Sequence, residues 1–114
     1  MITRFEQLQS TKIEKMKGGT NIAILHKVVD LPKNLNVYAK IILEQGSSIG
    51  LHTHIEDEEI IYVLKGHPKI IDDGLEQRLN PGDINICLRN HTHTVINDQE
   101  EITELLAVVV KKGE

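Results

Sequence analysis

Short apolar stretches, each closed by residues that favour turns, follow one another along most of the chain. The stretches are rich in Ile, Val and Leu and are separated by Gly, Pro, Asn and Asp, which predicts about eight or nine β-strands. The predicted strands cover residues 20–29, 35–44, 51–55, 59–65, 68–71, 75–79, 84–88, 93–97 and 102–112. Between them, no segment of 12 or more residues has the period of a helix. The pattern therefore indicates a single all-β domain, a sandwich or a barrel.

Residues 1–19 differ from the rest of the chain. They are polar, have a weakly helical pattern and end at the pair Gly18-Gly19. We interpret them as an N-terminal arm, which leaves residues 20–114 for the β-domain. Within that domain, Asp72-Asp73-Gly74 lies between two apolar stretches and is a strong signal for a hairpin turn.

Two predicted strands are apolar on both faces, at residues 60–64 and 105–110. Strands of this kind are covered on both sides in folded proteins. We therefore expect a homodimer in which a second copy covers the outer face of the sheet. The alternative is a monomer whose N-terminal arm folds over its own sheet.

Composition and charge exclude several classes of protein. The chain has 114 residues, is 39% hydrophobic and carries a net charge of −4 with both signs interspersed, so no basic footprint for nucleic acid is present. No apolar run approaches the ~20 residues of a membrane span, and the N-terminus has no pattern of a secretory signal. The single cysteine, Cys87, excludes a disulfide scaffold and fits a cytoplasmic protein. We interpret Cys87 as an inert thiol on a strand rather than as a nucleophile.

Three of the six histidines, with one glutamate, form a candidate metal site. His52 and His54 are two residues apart on a predicted strand, so their side chains leave the same face. Glu59 follows across an acidic corner, and His93 opens a later strand. Three imidazoles and a carboxylate are typical ligands of a transition metal. Each residue also has an ordinary interpretation: the histidine pair as part of a solvated strand face, Glu59 as part of an acidic loop and His93 as a turn cap. The surrounding sequence has to distinguish these interpretations from a metal site.

The wider sequence resembles the two motifs of the cupin superfamily. The first motif matches at all five positions in Gly46-x5-His52-x-His54-x4-Glu59-x6-Gly66. The resemblance covers about residues 35–110, most of the chain.

The second cupin motif is matched in part. Gly82, His93 and Asn97 fit it, whereas Leu88 and Asn90 replace a proline and a glycine. Asparagine tolerates a left-handed backbone best among residues other than glycine, so the turn before His93 can still form.

The resemblance implies a double-stranded β-helix, the small jelly-roll barrel of cupins, over residues 20–114. It also implies that His52, His54, Glu59 and His93 are metal ligands near the mouth of the barrel. The expected cofactor is one divalent transition metal per chain, manganese, iron, nickel or zinc, and the sequence does not choose among them. Small cupins of this kind are typically dimers.

The alternation of side chains predicts which residues line the pocket. With Glu59 pointing inward, Ile61 and Val63 point inward as well. On the preceding strand, Ile41 and Leu43 belong to a uniformly apolar set that suits the interior, although the competing set with Tyr38 and Lys40 stays open. The pocket is thus expected to be mainly aliphatic with few polar groups. No catalytic residue can be named.

The remaining histidines receive lesser roles. His91 is expected at the surface, with support of the metal ligands as a weaker alternative. We interpret His67 and His26 as structural.

Three functions fit the sequence. The first is a metalloenzyme, an oxidoreductase, isomerase or lyase, that acts on a small oxygen-rich metabolite with the metal as Lewis acid or oxygen activator. The second is a metal-containing cupin that binds or senses a small molecule or anion without turnover. The third is a structural dimer. Oxalate-acting cupins typically have Arg or Asn three residues before the first ligand histidine, and Ile49 stands there, so oxalate decarboxylase or oxidase activity is disfavoured.

Overall fold

The computed structural model describes residues 1–112, which form ten β-strands and two single-turn 3₁₀ helices. The strands are β1 (Gln9–Glu14), β2 (Ile22–Lys27), β3 (Leu35–Leu43), β4 (Ser48–Thr53), β5 (Asp57–Lys65), β6 (Lys69–Asp72), β7 (Leu75–Arg78), β8 (Ile84–Cys87), β9 (Thr92–Ile96) and β10 (Thr103–Lys111). The 3₁₀ helices are Phe5–Gln7 and Met16–Gly18. Each of the nine predicted strands is present, with ends shifted by a few residues. Within the described part of the chain, no helix is long and apolar enough to cross a membrane.

The strands form two antiparallel sheets that enclose one core. The six-stranded sheet has the order β1-β2-β3-β10-β5-β8 and the four-stranded sheet the order β4-β9-β6-β7. Aliphatic side chains from both sheets meet between them, including Leu25, Leu43 and Leu105 from the first sheet and Ile70 and Val95 from the second. The all-β jelly-roll barrel expected from the sequence is confirmed.

Strand β5 shows the alternation that the sequence predicts. Glu59 and Val63 on its inner face are 8% and 0% exposed. Ile60, Tyr62 and Leu64 on its outer face are 38%, 39% and 43% exposed. The outer face of this apolar strand is therefore open in the single chain.

Strand β3 resolves the alternative that the sequence leaves open. Ala39, Ile41 and Leu43 are buried, so the uniformly apolar set faces the interior. Tyr38 is 42% exposed and Lys40 pairs with Glu104, which places the competing set on the outer face.

The N-terminal segment is a β-strand rather than a helix over residues 9–14. β1 pairs with β2 from Gln9↔Lys27 to Glu14↔Ile22 and extends the six-stranded sheet at its edge. Pairing with β2 overrides the weakly helical pattern, because in the strand Ile13 packs against the core. Because β1 is the edge strand of this sheet, it lies in the plane of the sheet and does not cover the outer face of β5.

Two turns have the backbone conformation that their residues favour. Asp73 and Gly74, with φ of 47° and 83°, form the two-residue loop between β6 and β7. Asn90 has a φ of 71°, so it does adopt the left-handed conformation required before β9.

Candidate metal centre

The four predicted ligands meet at one point inside the barrel. His52 near the end of β4 and His93 in β9 are directly opposite each other in the four-stranded sheet. His54 follows the end of β4, and Glu59 reaches the same point from β5 in the other sheet. One ligand atom from each of the four residues lies within 4.8 Å of all the others.

The distances between these atoms suit a small cation. The Nε2 atom of His93 lies 3.1 Å from Nε2 of both His54 and His52. Oε1 of Glu59 is 2.9 Å from Nε2 of His93, 3.1 Å from that of His54 and 3.9 Å from that of His52. Neighbouring ligands of an ion held at about 2.1 Å are separated by about 3 Å, so the donor set fits a transition metal.

A second contact orients each imidazole. Nδ1 of His52 donates to the backbone oxygen of Gly50 at 2.7 Å. Nδ1 of His54 donates to Oδ1 of Asp57 at 2.6 Å, and Nδ1 of His93 donates to Oδ1 of Asn85 at 2.8 Å. With the proton on Nδ1, each Nε2 keeps its lone pair for a cation, which is the usual arrangement of metal-binding histidines.

Two of these orienting residues were missed by the sequence analysis. Asp57 lies in an acidic run that is typical of a solvated loop, although its position three residues after His54 was a usable signal. Asn85 is a buried polar residue of β8, and nothing in the sequence connects it with His93. Only the pairing of β5 with β8 and the packing of the two sheets bring it there.

Burial and hydrogen bonding oppose each other at Glu59. Burial by itself raises the pKa of this carboxyl group. When the Nε2 atoms of His52, His54 and His93 carry a proton in place of a cation, the hydrogen bonds that they donate outweigh burial and hold the pKa well below the usual range. The pKa of His54 is raised, chiefly by its hydrogen bond to Glu59 and against the effect of burial. The centre is thus a buried negative charge among imidazoles, an environment that favours a cation.

A cavity of about 390 Å³ leads to this centre. The side chains of His52, His54 and Glu59 line it, while His93 lies behind them and is fully buried. The other lining residues are Ile13, Met16, Lys17, Leu25, Lys27, Asn36, Val37, Ile41, Ile49, Asp57, Ala107 and Val109.

The cavity wall includes one of the four aliphatic residues proposed for it from the sequence, Ile41. Leu43, Ile61 and Val63 do face inward, but the structure places them in the closed core cluster. Polar groups from outside the cupin motifs, Lys17 among them, are present instead.

The remaining histidines lie away from the centre. His91 is exposed and contacts Asp73, in agreement with a surface role. His67 contacts Glu101, and the ring of His26 packs at 5.0 Å from that of Phe5. Cys87 is buried, and burial raises the pKa of its thiol to about 11, which agrees with the prediction of an inert thiol.

Known proteins resemble this chain over nearly its whole length. An oxalate-binding protein of Thermotoga maritima is 28% identical over 113 residues, which are 96% of this chain and 93% of that protein. The crystal structure of a predicted oxalate decarboxylase from Thermotoga maritima matches with a TM-score of 0.91 and 26% identity, covering 97% of this chain and 99% of the other.

A more distant structure supports the fold alone. The structure of KdgF from Halomonas sp. matches with a TM-score of 0.78 at 16% identity, covering 100% of this chain and 97% of the other.

The model of the cupin domain family matches residues 39–109, which include all four residues of the centre. The chain therefore belongs to the cupin family.

Proposed function

We propose that His52, His54, Glu59 and His93 hold one divalent transition metal per chain, manganese, iron, nickel or zinc. The observation that carries this proposal is the convergence of three oriented Nε2 atoms and one ionised carboxylate oxygen within 4.8 Å. No lysine or arginine enters this set, and the Nδ1 atoms are all occupied by oxygen acceptors. The donor chemistry thus fits such an ion.

Metal analysis of untagged protein tests the site. We expect one equivalent of metal per chain after dialysis, and anomalous scattering at the metal edges should locate it among the four residues. Less than about a tenth of an equivalent after incubation with each of the four metals would refute the site and favour a structural protein.

The ligand that we propose is a small oxygen-rich anion bound at the metal. A divalent ion with a single carboxylate ligand keeps a net positive charge, which favours anions whose oxygens can reach it. The oxalate-binding relative is consistent with this class. Ile49, 3% exposed in the cavity wall, supplies no polar group for a diacid at its position. We therefore do not extend oxalate turnover to this chain.

We further propose that the protein is a metalloenzyme for such a molecule. When bound, the metal would supply Lewis-acid or oxygen-activating chemistry. The chain itself shapes the space for the ligand, because His52, His54 and Glu59 line the cavity at the centre and Ile41 and Val109 add apolar wall. The cavity volume of about 390 Å³ lies in the range of small-molecule sites.

A cupin that binds or senses its ligand without turnover is the second candidate. It is favoured by the chemistry of the wall, where Asp57 is already bonded to His54 and no other carboxylate or imidazole faces the cavity among residues 1–112 apart from the ligands. Metal-loaded protein incubated with small acids, diketones and thiols separates the two candidates. Product formation lost in His93→Ala supports the enzyme, whereas tight binding without product supports the sensor.

We also propose a homodimer formed through the outer face of the six-stranded sheet. Ile60, Tyr62, Ile84 and Ile86 are 38% to 56% exposed there, and β1 leaves them uncovered. Contiguous exposed apolar surface of this kind marks an interface. Light scattering should give twice the chain mass of 12.9 kDa, and Tyr62→Glu should give a monomer. A monomeric wild type would refute the dimer.

A cytoplasmic location remains a prediction based on the single thiol.

A further inference from the structure

We infer that Lys17 and Lys27 select acids that carry a second anionic group, a carboxylate or a phosphate, at the end of the cavity remote from Glu59. This inference rests on the proposed function, because it places the first acidic group of the ligand at the metal centre. Neither lysine belongs to the cupin motifs, yet both line the cavity that opens onto that centre.

Lys27 reaches the cavity from the last position of β2. Ala23 and Leu25, at the same parity, are 1% and 2% exposed in the core, so Lys27 continues the inner face of its strand and is half-buried. β3 and β10 separate β2 from β5. The register leads from Lys27 through Ala39 and Ala107 to Ile61 on β5, and Glu59 lies two residues further along that strand. Three steps of about 4.8 Å across the sheet and about 7 Å along β5 put the two backbones about 16 Å apart. This separation leaves room for a ligand several atoms long.

Lys17 reaches the same cavity from the N-terminal segment. Its 3₁₀ helix packs on β4 so closely that a Cβ atom at Gly50 would lie 2.2 Å from the backbone oxygen of Lys17. β4 then continues to His52, so the position of Lys17 is fixed relative to the centre. Lys17 also has a φ of 55°, a left-handed conformation that costs free energy for a residue with a side chain. The turn thus holds the exposed Lys17 beside the cavity.

The charges of the cavity favour a dianion. Glu59 and Asp57 supply two negative charges and the two lysines supply two positive ones, so a divalent ion would leave a net charge of +2. Among the described residues, no carboxylate lies within 4.0 Å of either lysine ammonium. Both ammonium groups can therefore pair with a ligand. A molecule with one acidic group at the metal and another at the lysines balances this charge.

Matched pairs of acids test the inference on metal-loaded protein by calorimetry. The probes 2-hydroxyglutarate and 2-hydroxypentanoate share the metal-binding end and the chain length, and only the first has a distal carboxylate. The probes 3-phosphoglycerate and glycerate differ in a distal phosphate. We expect the doubly acidic member of one pair to bind at least about tenfold more tightly, because a charge-assisted contact is worth at least that factor. The pair that shows the preference identifies the distal group.

The double variant Lys17→Gln/Lys27→Gln should lose this preference and keep its metal and its affinity for oxalate, which occupies only the metal end. Lys12→Gln is the matched control, since Lys12 lies on β1 but lines a different groove. Equal affinity for both members of both pairs, or a preference that survives in the double variant, would overturn the inference while oxalate still binds. Failure to take up metal or to bind any of these acids would instead refute the proposed function and this inference with it.

Discussion

The six-stranded sheet has a closed half and an open half on its inner face, although the same strands build both. At the closed half, Leu43, Val63 and Leu105 are 0% exposed and fill the space completely. At the open half, Val37 and Glu59 flank β10 in one row and border the cavity. Alternation along a strand therefore determines which side chains point inward, but not whether the interior at that level is filled.

The facing sheet explains the difference between the two halves. At the closed half, Val95 of β9 meets the leucines with aliphatic surface, and its partner Ile49 on β4 belongs to the core while also bordering the cavity. Further along the same pair of strands, His52 and His93 replace them. The polar rings of these histidines converge on Glu59 and do not fill the space above them as aliphatic side chains do, so the cavity remains there. The open half thus holds the candidate site, and the closed half holds the packed core.

Removing ligands at the open half should have the largest effect. We expect the double variant His52→Ala/His93→Ala to lose stoichiometric metal and remain folded, because the closed half is unaltered. Elemental analysis and circular dichroism measure the two properties. His67→Ala is the matched control, since the imidazole of His67 contacts Glu101 at the surface, away from the four residues of the centre. Full metal content in the double variant would show that the ligand assignment is wrong.

Shortening a core side chain in the closed half should lower stability and leave metal binding unchanged. Leu105→Ala removes a fully buried side chain and should lower the free energy of unfolding by about 2–5 kcal/mol. Metal stoichiometry should be unchanged, because no ligand contacts are removed. Leu51→Ala, at a position 65% exposed, should change stability by less than about 0.5 kcal/mol. Denaturant unfolding of the metal-free proteins makes the comparison, and equal effects of the two variants would contradict the closed core.

A smaller effect on metal affinity is expected from a residue that contacts a proposed metal ligand but does not belong to the set itself. Asn85→Ala leaves all four ligands in place but removes the acceptor that orients His93. Metal affinity should fall about 10- to 100-fold, the usual effect of losing such a partner. Competition with a chelator measures the affinity, and Asn80→Ala in an exposed turn is the control. Unchanged affinity in Asn85→Ala would mean that the packing of His93 alone orients its ring.

The smallest response should come from Cys87, which lies opposite Glu59 in the sheet but is fully buried and does not line the cavity. Burial raises the pKa of its thiol to about 11, so the thiolate fraction at pH 8 is about a thousandth. Alkylation of native protein should be slow at pH 8 and accelerate with rising pH up to about 11. Unfolded protein should react with the ordinary pKa of about 8.5. Rapid labelling of the native protein at pH 8 would refute the inert assignment.

Much of the fold could be predicted because its signals are local. Asp73-Gly74 specifies a tight hairpin through its own backbone preferences, and Asn90 permits the left-handed turn before β9. The alternation in β5 assigns inner and outer faces without reference to other strands. The weak pattern of residues 9–14 was misleading, because β1 is specified by the free edge of β2 rather than by its own composition.

The sequence by itself determined the strands, the inward parity of Glu59 and, through motif spacing, the four residues that converge. Only the tertiary structure decided that Asn85 and Asp57 orient the imidazoles, that Leu43 and Val63 close the core instead of lining the cavity, and that Lys17 joins its wall. The physical reason is the distance along the chain over which each kind of interaction acts. Strand periodicity and turn preference act between neighbours in the chain, whereas a cavity is the space left after two sheets and an edge strand from distant segments have packed together.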